Sequence, residues 1–435
     1  MRRCRPAADT ERMRRLVLFA AILLSACVPT ESVAASATAR PASSASAPAS
    51  LAAAPSVSAE CAPATASSDV PLAGRPLGVL NFVDKNYGWI ASGVGPDMRV
   101  LRTADGGATW SSSAPLPISY PVDLRFADHC SGWVLGVTDG AARLVLYGTA
   151  DGGRTWQEQL ARPNQGRLTG ATSGVGVVEV PDAAHAFVAV DLSGCTAPCL
   201  SELLGTSDRG AHWQSLHAFS ARVSAIRFAD GLNGWAVTAL ATTRPYDPTT
   251  SSSSSLEATS DGGRTWTRRT LPPFADQIEF KNALDGWALG RDGAQCSSSS
   301  CSRWYLYRTT DGGTTWTRLQ NSEDQTKPAW WLPNPQASSA SFLDGPHFVD
   351  TTHGWIALSI GAGGAGVRVG GVITTADGGV TWQQSGIEPY PKSPNGVWFV
   401  DAQNGWATSG SMVKRGTDEL YRTADGGKTW QLLRP

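Results

Sequence analysis

The residues with the clearest chemical potential are aspartates set beside glycines. Asp105 stands in "TADGGATW" (103–110). A carboxylate on a flexible backbone can ligate a cation or exchange a proton. The same octapeptide returns as "TADGGRTW" (149–156), "TSDRGAHW" (206–213), "TSDGGRTW" (259–266), "TTDGGTTW" (309–316), "TADGGVTW" (375–382) and "TADGGKTW" (423–430). Seven copies argue for a structural task. Asp and the leading Thr can accept hydrogen bonds from their own turn. The glycines allow positive φ.

Cysteines are the second chemical group. Cys195 and Cys199 ("CTAPC") are close in sequence, as are Cys296 and Cys301 ("CSSSSC"), and Cys61 and Cys130 are left over. Two locally closed loops and one long-range bridge form the most economical of 15 connectivities. No His stands near either close pair, so a metal site is not expected. No cofactor is implied. Carboxylates on irregular segments (Asp247, Asp276, Glu323, Asp324, Asp344) show no spacing that favours a catalytic pair. No Ser/His/Asp order stands out. Glu179 and Glu279 fall at repeat-equivalent positions and read as framework.

The elements that position these groups come from a second motif. "NFVDKNYGWIAS" (81–92), "RFADHCSGWVLG" (125–136), "RFADGLNGWAVT" (227–238), "EFKNALDGWALG" (279–290), "HFVDTTHGWIAL" (347–358) and "WFVDAQNGWATS" (398–409) precede six of the octapeptides. The third has the altered form "EVPDAAHAFVAV" (179–190). Octapeptide starts are 46, 57, 53, 50, 66 and 48 residues apart, a repeat architecture. Each unit reads as four strands. A short apolar run turns back into "WIAS" or "WALG". A variable loop leads to "RVLRT", "LYRT" or "VITT". The octapeptide makes the next turn, and its "TW" is expected to open the fourth strand. Seven such units predict an all-β, seven-bladed β-propeller of four-stranded antiparallel blades over residues 76–435. The third blade, with Arg209 for Gly and His212 for Thr, is expected to be the least regular. The last strand ends blade seven without an N-terminal contribution, so ring closure should rest on packing between blades one and seven.

The N-terminus is read as a targeting segment. Arg14 and Arg15 precede the apolar run Leu16–Leu24, too short for a bilayer-spanning helix of about 20 residues. "LSAC" (24–27) resembles a bacterial lipobox, which implies a signal peptide over 1–26 and lipidation of Cys27. Residues 27–75 are rich in Ala, Ser and Pro and read as a disordered linker. Some 45 such residues would reach roughly 35–40 Å. The expected location is the extracytoplasmic face of a membrane, held by a lipid anchor. Without residues 1–26 the chain keeps 30 of its 36 basic and 35 of its 37 acidic residues, a formal −5. That balance argues against nucleic acid as a partner.

The octapeptide resembles the Asp-box, or bacterial neuraminidase repeat. Paired with "F-x-D-x-x-x-G-W", the chain resembles the propellers of the photosystem II assembly and stability factor family over about residues 76–435. The resemblance implies that Asp105, Asp151, Asp208, Asp261, Asp311, Asp377 and Asp425 are structural. It also implies that they join third and fourth strands on the face away from a ligand. Sialidases of the Asp-box class resemble this fold too, but their "F/Y-R-I-P" segment is absent here.

Function is therefore expected on the opposite face, on loops of variable length. The longest insertion (321–346) carries Trp330 and Trp331, outside the repeat pattern. They either stack on a sugar or apolar peptide or cover the insertion itself. Other candidate binding residues are Arg244 and Tyr246 in 242–255 and Tyr390 and Lys392 in 387–396. Arg162, Arg167, Lys414 and Arg415 add charge without an evident cluster. The reading favours a monomeric, non-catalytic scaffold for a protein partner or membrane-protein assembly intermediate. The alternative is a glycan-binding or sialidase-like propeller.

Overall fold

The computed structural model describes residues 70–72, 75–93, 95–138, 143–163, 177–191, 200–239, 254–292, 303–321, 339–361, 368–384, 394–409 and 419–433. Their strands form seven four-stranded antiparallel sheets, each with its strands in chain order. Blade one comprises Leu77–Phe82, Gly88–Ser92, Arg99–Thr103 and Ser111–Ser112. The first strands of successive blades contact one another around the ring, and the first strand of blade seven contacts that of blade one. These inner strands all run toward their F-x-D turns. Both turn types of a blade therefore share one face, and a backbone bond ties them: Gly262 N–H donates to Leu232 C=O at 2.9 Å in blade four. Among the described residues no helix is long and apolar enough to cross a membrane.

The octapeptides join third and fourth strands in every blade. In blade four, Thr259 Oγ1 donates to Asp261 Oδ1 at 2.8 Å and accepts from Gly263 N–H at 3.0 Å. Thr265 donates its N–H to Asp261 Oδ1 (2.9 Å) and its hydroxyl to Oδ2 (2.6 Å). Gly262 and Gly263 have φ of 73° and 85°, which an L side chain adopts only with strain. The fourth strand begins two residues later than expected. It starts after the octapeptide's Trp, as in Gln157–Pro163 and Thr267–Arg269. The preceding Thr and Trp are held in the turn: Asp261 takes the Thr265 N–H, and Trp266 Nε1 donates to Gly263 C=O at 3.0 Å.

Blades are joined by aromatic triads. The Trp of one blade's G-W stacks on the Phe of the next blade's F-x-D. Trp235 on Phe280 has centroids 3.7 Å apart and planes 1° apart. The octapeptide Trp of that second blade meets the same Phe edge-on, as Trp316 meets Phe280 at 6.1 Å. Each stacked pair contributes about 0.5–1.5 kcal/mol beyond the burial of its area. The G-W indole also donates across the seam to the first Gly of the next octapeptide: Trp89 to Gly152, Trp235 to Gly312, Trp287 to Gly378, Trp355 to Gly426 and Trp406 to Gly106, all at 2.8–3.0 Å.

Blade three keeps its turn and changes its packing. Arg209 takes φ +63° where other blades use Gly. His212 Nδ1 lies 2.7 Å from Asp208 Oδ2, where other blades use a Thr hydroxyl. Trp133, which in the regular pattern would bond at position 209, donates instead to Gln159 Oε1 at 2.9 Å, and Trp213 shares that acceptor at 3.1 Å. Val180 replaces the F-x-D Phe, and Ala186 replaces the Gly of G-W. The two changes belong together.

The ring closes without strand exchange. Trp406 stacks on Phe82 at 3.6 Å, and Trp398 Nε1 donates to Phe82 C=O at 2.7 Å. The segment from Val70, expected to belong to the disordered linker, instead adds to this seam because Leu72 finds an apolar site there. Val70 N–H donates to Trp110 C=O at 2.8 Å, and Leu72 is buried with Leu80, Trp110 and Leu420.

Candidate functional site

The inner strands surround a channel of about 890 Å³. That volume is within the roughly 300–1,000 Å³ range of ligand pockets. Because the inner strands are parallel, position along the repeat sets depth. The residue before each F-x-D Phe forms a ring: Asn81, Arg125, Glu179, Arg227, Glu279, His347 and Trp398.

Each member of the ring is tied to another blade. Phe126 N–H donates to Asn81 Oδ1 at 2.9 Å. Phe228 N–H donates to Glu179 Oε2 at 3.4 Å. The His347 ring donates from Nε2 to Phe399 C=O at 3.0 Å. Arg227 lies between two carboxylates, with Nη1 3.1 Å from Glu179 Oε1 and Nε 3.3 Å from Glu279 Oε2. Lys281 Nζ is 3.6 Å from the other oxygen of Glu279. Burial pushes the Glu179 carboxyl up, against the pull of Arg227 and Arg125. Burial alone would lower Arg227, but Glu179 and Glu279 overcome it and hold the guanidinium above its ordinary value.

The other side of the ring is aromatic and cationic. The Arg125 guanidinium stands 5.0 Å over the Trp398 ring and 3.5 Å from Asp123. Asp123 is itself held by Val178 N–H at 3.0 Å. His347 lies 5.3 Å from Trp398, ring to ring. Toward the F-x-D turns the next position is almost wholly apolar: Val83, Pro181, Ala229, Val349 and Val400 line the channel, with Lys281. Toward the other end the lining becomes small or polar, with Gly78, Ser224, Asp276, Gln277 and Gly396.

Sequence reasoning did not assemble this ring. Its signal is the single position of the F-x-D motif that changes charge from blade to blade, at a constant inward phase. Asp276 is exposed and lines the channel. Arg162 lies in a fourth strand, 4.0 Å from Glu202. Trp330, Trp331, Arg244, Tyr246, Tyr390 and Lys392 lie outside the described residues. So do Cys27, Cys61, Cys195, Cys199, Cys296 and Cys301. Cys130 is disulfide-bonded. Among the described residues no group of three or more His, Cys, Asp or Glu is placed to hold a metal ion.

The described geometry defines a class, the seven-bladed β-propeller with consecutive four-stranded blades. No protein-family model matches the chain, and no curated protein matches it. Among solved structures the chain is similar to YCF48 bound to a D1 peptide, with 18% identity and a TM-score of 0.51, over 82% of this chain and 94% of that one. It is similar to the GH74 xyloglucanase of Xanthomonas campestris, with 12% identity and a TM-score of 0.50, over 84% of this chain and 55% of that one. It is also similar to a prolyl endopeptidase, with 8% identity and a TM-score of 0.51, over 83% and 50%. The chain thus spans about half the length of the two enzymes. Identities this low show the fold, which hosts both enzymes and a peptide-bound protein.

Proposed function

We propose that this chain is a non-catalytic, membrane-tethered, extracytoplasmic propeller that binds a protein partner as an assembly scaffold. The observation that carries the reading is the state of the channel carboxylates. Glu179 uses both oxygens, on Arg227 and on Phe228 N–H, and Glu279 uses both, on Arg227 and Lys281. Carboxylates held this way join blades; a glycosidase needs one protonated acid and one unencumbered base or nucleophile facing a bond. The sequence resemblance to assembly-factor propellers supports the same reading. So does the structural neighbour described as bound to a D1 peptide, as an example of peptide recognition on this fold. Lipidation of Cys27 supplies the tether, residues 28–69 supply its reach, and Trp330 and Trp331 lie on the longest insertion available to a partner.

The test is cross-linking and affinity capture from the native membrane after detergent extraction, beside a glycan panel assayed for sugar release. One specific protein partner and no turnover are expected. Reproducible sugar release, abolished by substituting a loop carboxylate such as Asp247, would replace this reading with the glycosidase one. Cys27→Ser is expected to shift the protein from the membrane to the soluble fraction.

A further inference from the structure

The channel mouth on the turn face has a chemistry that the ring-closing contacts leave unused. Val83, Pro181, Ala229, Val349 and Val400 form an apolar collar there, and all five are half-buried. Its one cation, Lys281, is drawn to Glu279 at 3.6 Å. Immediately outside the collar stand Asp84, Asp128, Asp182, Asp230, Asp350 and Asp401. Farther along the same turns, Leu232 and Leu284 are each 57% exposed, in the neighbouring blades four and five.

The turns of this face are strongly acidic. The fourteen turns, seven F-x-D-x-x-x-G-W segments and seven octapeptides, hold 14 aspartates against six Lys or Arg, a formal −8. The rest of residues 76–435 holds 22 basic against 18 acidic residues, a formal +4. The rim charge is also fixed. Burial would raise Asp230, but hydrogen bonds from Asn233 and Leu232 outweigh it and hold the carboxyl low. Asp401 is lowered in the same way, through Asn404 and Gln403.

An apolar opening ringed by permanent negative charge selects a partner by two criteria at once. Apolar side chains gain by leaving water in the collar. Lys or Arg beside them meets the carboxylates, and the long-range field steers the approach. We propose that the turn-face mouth docks a peptide segment in which a short apolar run is flanked by basic residues. The inference rests on the protein-binding reading and adds to it a face and a partner chemistry. The docking face is that of the F-x-D and octapeptide turns.

The test measures binding of fluorescent peptides to the purified full chain. The probe is KKLVLVLKK, with EELVLVLEE and KKSTSTSKK as controls for charge and for apolarity. Saturable binding is expected for the first alone, weakened by raising salt from 50 to 200 mM. The double variant Val349→Lys with Val400→Lys changes half-exposed side chains and should keep the near-ultraviolet signature of the buried tryptophans. It is expected to weaken the probe at least tenfold. Equal binding of all three peptides, or an unchanged affinity in the double variant, overturns the inference. If that variant loses its folded signature, Leu232→Lys with Leu284→Lys on the exposed rim is read by the same criteria. A captured native partner that cross-links to residues 321–346 and not to the turns would sink this inference and leave the scaffold reading standing. Absence of any partner would sink both.

Discussion

The clash between Gly286 and Phe280 gives a sharp test of how the blades are packed. A Cβ added at Gly286 would lie 2.4 Å from Phe280 Cδ1 and 2.5 Å from Cε1, well inside contact distance. The ring cannot withdraw, because Trp235 covers its face at 3.7 Å and Trp316 abuts it edge-on. Gly286→Ala should therefore destabilise by about 2–3 kcal/mol through overpacking. Phe280→Val alone empties a buried site and should cost about 2–3 kcal/mol. If the sites were independent, the double variant would lose about 4–6 kcal/mol. The structure argues otherwise, because Val at 280 vacates the space that the new methyl needs. The double variant should lose only about 2 kcal/mol, a coupling of roughly 2–4 kcal/mol.

Blade three already contains that double change. Val180 stands for the Phe and Ala186 for the Gly, and Ala186 is fully buried. Ala186→Gly should cost about 0.5–1 kcal/mol, the ordinary penalty of Gly in a strand, with no clash to relieve. The assay is urea unfolding of all four variants, followed by tryptophan fluorescence. Additivity of the two blade-five substitutions within about 0.5 kcal/mol would refute the steric argument.

Two further expectations follow from the turns and from the irregular seam. Hydrogen bonds from Thr315 hold Asp311 down to about 2, and bonds from His212 and Thr206, outweighing burial, hold Asp208 at about 2. Carboxyls depressed in the folded state stabilise it above their unfolded value near 3.8, and that contribution is lost as pH falls toward 2. The urea midpoint should therefore be flat from about pH 8 to 5 and fall steeply below about pH 4, whereas a decline already between pH 7 and 5 would contradict the turn geometry. Gln159→Met keeps the bulk between blades two and three but strips the shared acceptor from Trp133 and Trp213. It should cost about 1–3 kcal/mol in the same urea assay, as the indole N–H groups of buried Trp133 and half-buried Trp213 lose their partner.

Most of the blade architecture was legible in the sequence, because each blade repeats its own steric requirements. The Phe demands the Gly, the Gly-Trp strand demands a stacking partner, and the octapeptide demands positive φ at its glycines. Blade order and the four-strand parse follow from those demands. The start of the fourth strand was misjudged by two residues because bonds to Asp and Gly hold the Thr and Trp in the turn. The persistence of the third turn was hidden as well: Arg209 reads as a breaker of the pattern, yet it takes the glycine conformation. The contact of Arg125 with Trp398 was not legible, since 273 residues separate them and neither breaks the local pattern. The preferred binding loops follow no repeat, so nothing periodic in the chain specifies their conformation.

The channel ring encodes its information in order as well as composition, and this separates it from the rest of the repeat. Arg227 is satisfied because an acid stands on each side of it, in blades three and five. Arg227→Met would leave Glu179 without its cation and Glu279 with Lys281 alone, at a cost of about 3–5 kcal/mol near pH 7. The deficit should shrink as pH falls, because burial already pushes Glu179 up and protonation removes its charge. A stricter test exchanges the charges, combining Arg227→Glu with Glu279→Arg. Net charge and composition are unchanged. The new acid at 227 then faces Glu179, and the new guanidinium at 279 faces Lys281. If a balanced set of charges were enough, the exchange would be neutral. If the contacts are what hold blades three to five, the exchanged protein should be less stable than Arg227→Met at pH 7, because two like-charge contacts, to Glu179 and to Lys281, outweigh the one pair between 227 and 279 that survives the exchange. Urea midpoints for the three proteins decide it, and an exchanged protein as stable as the parent would show that the ring needs only its net charge.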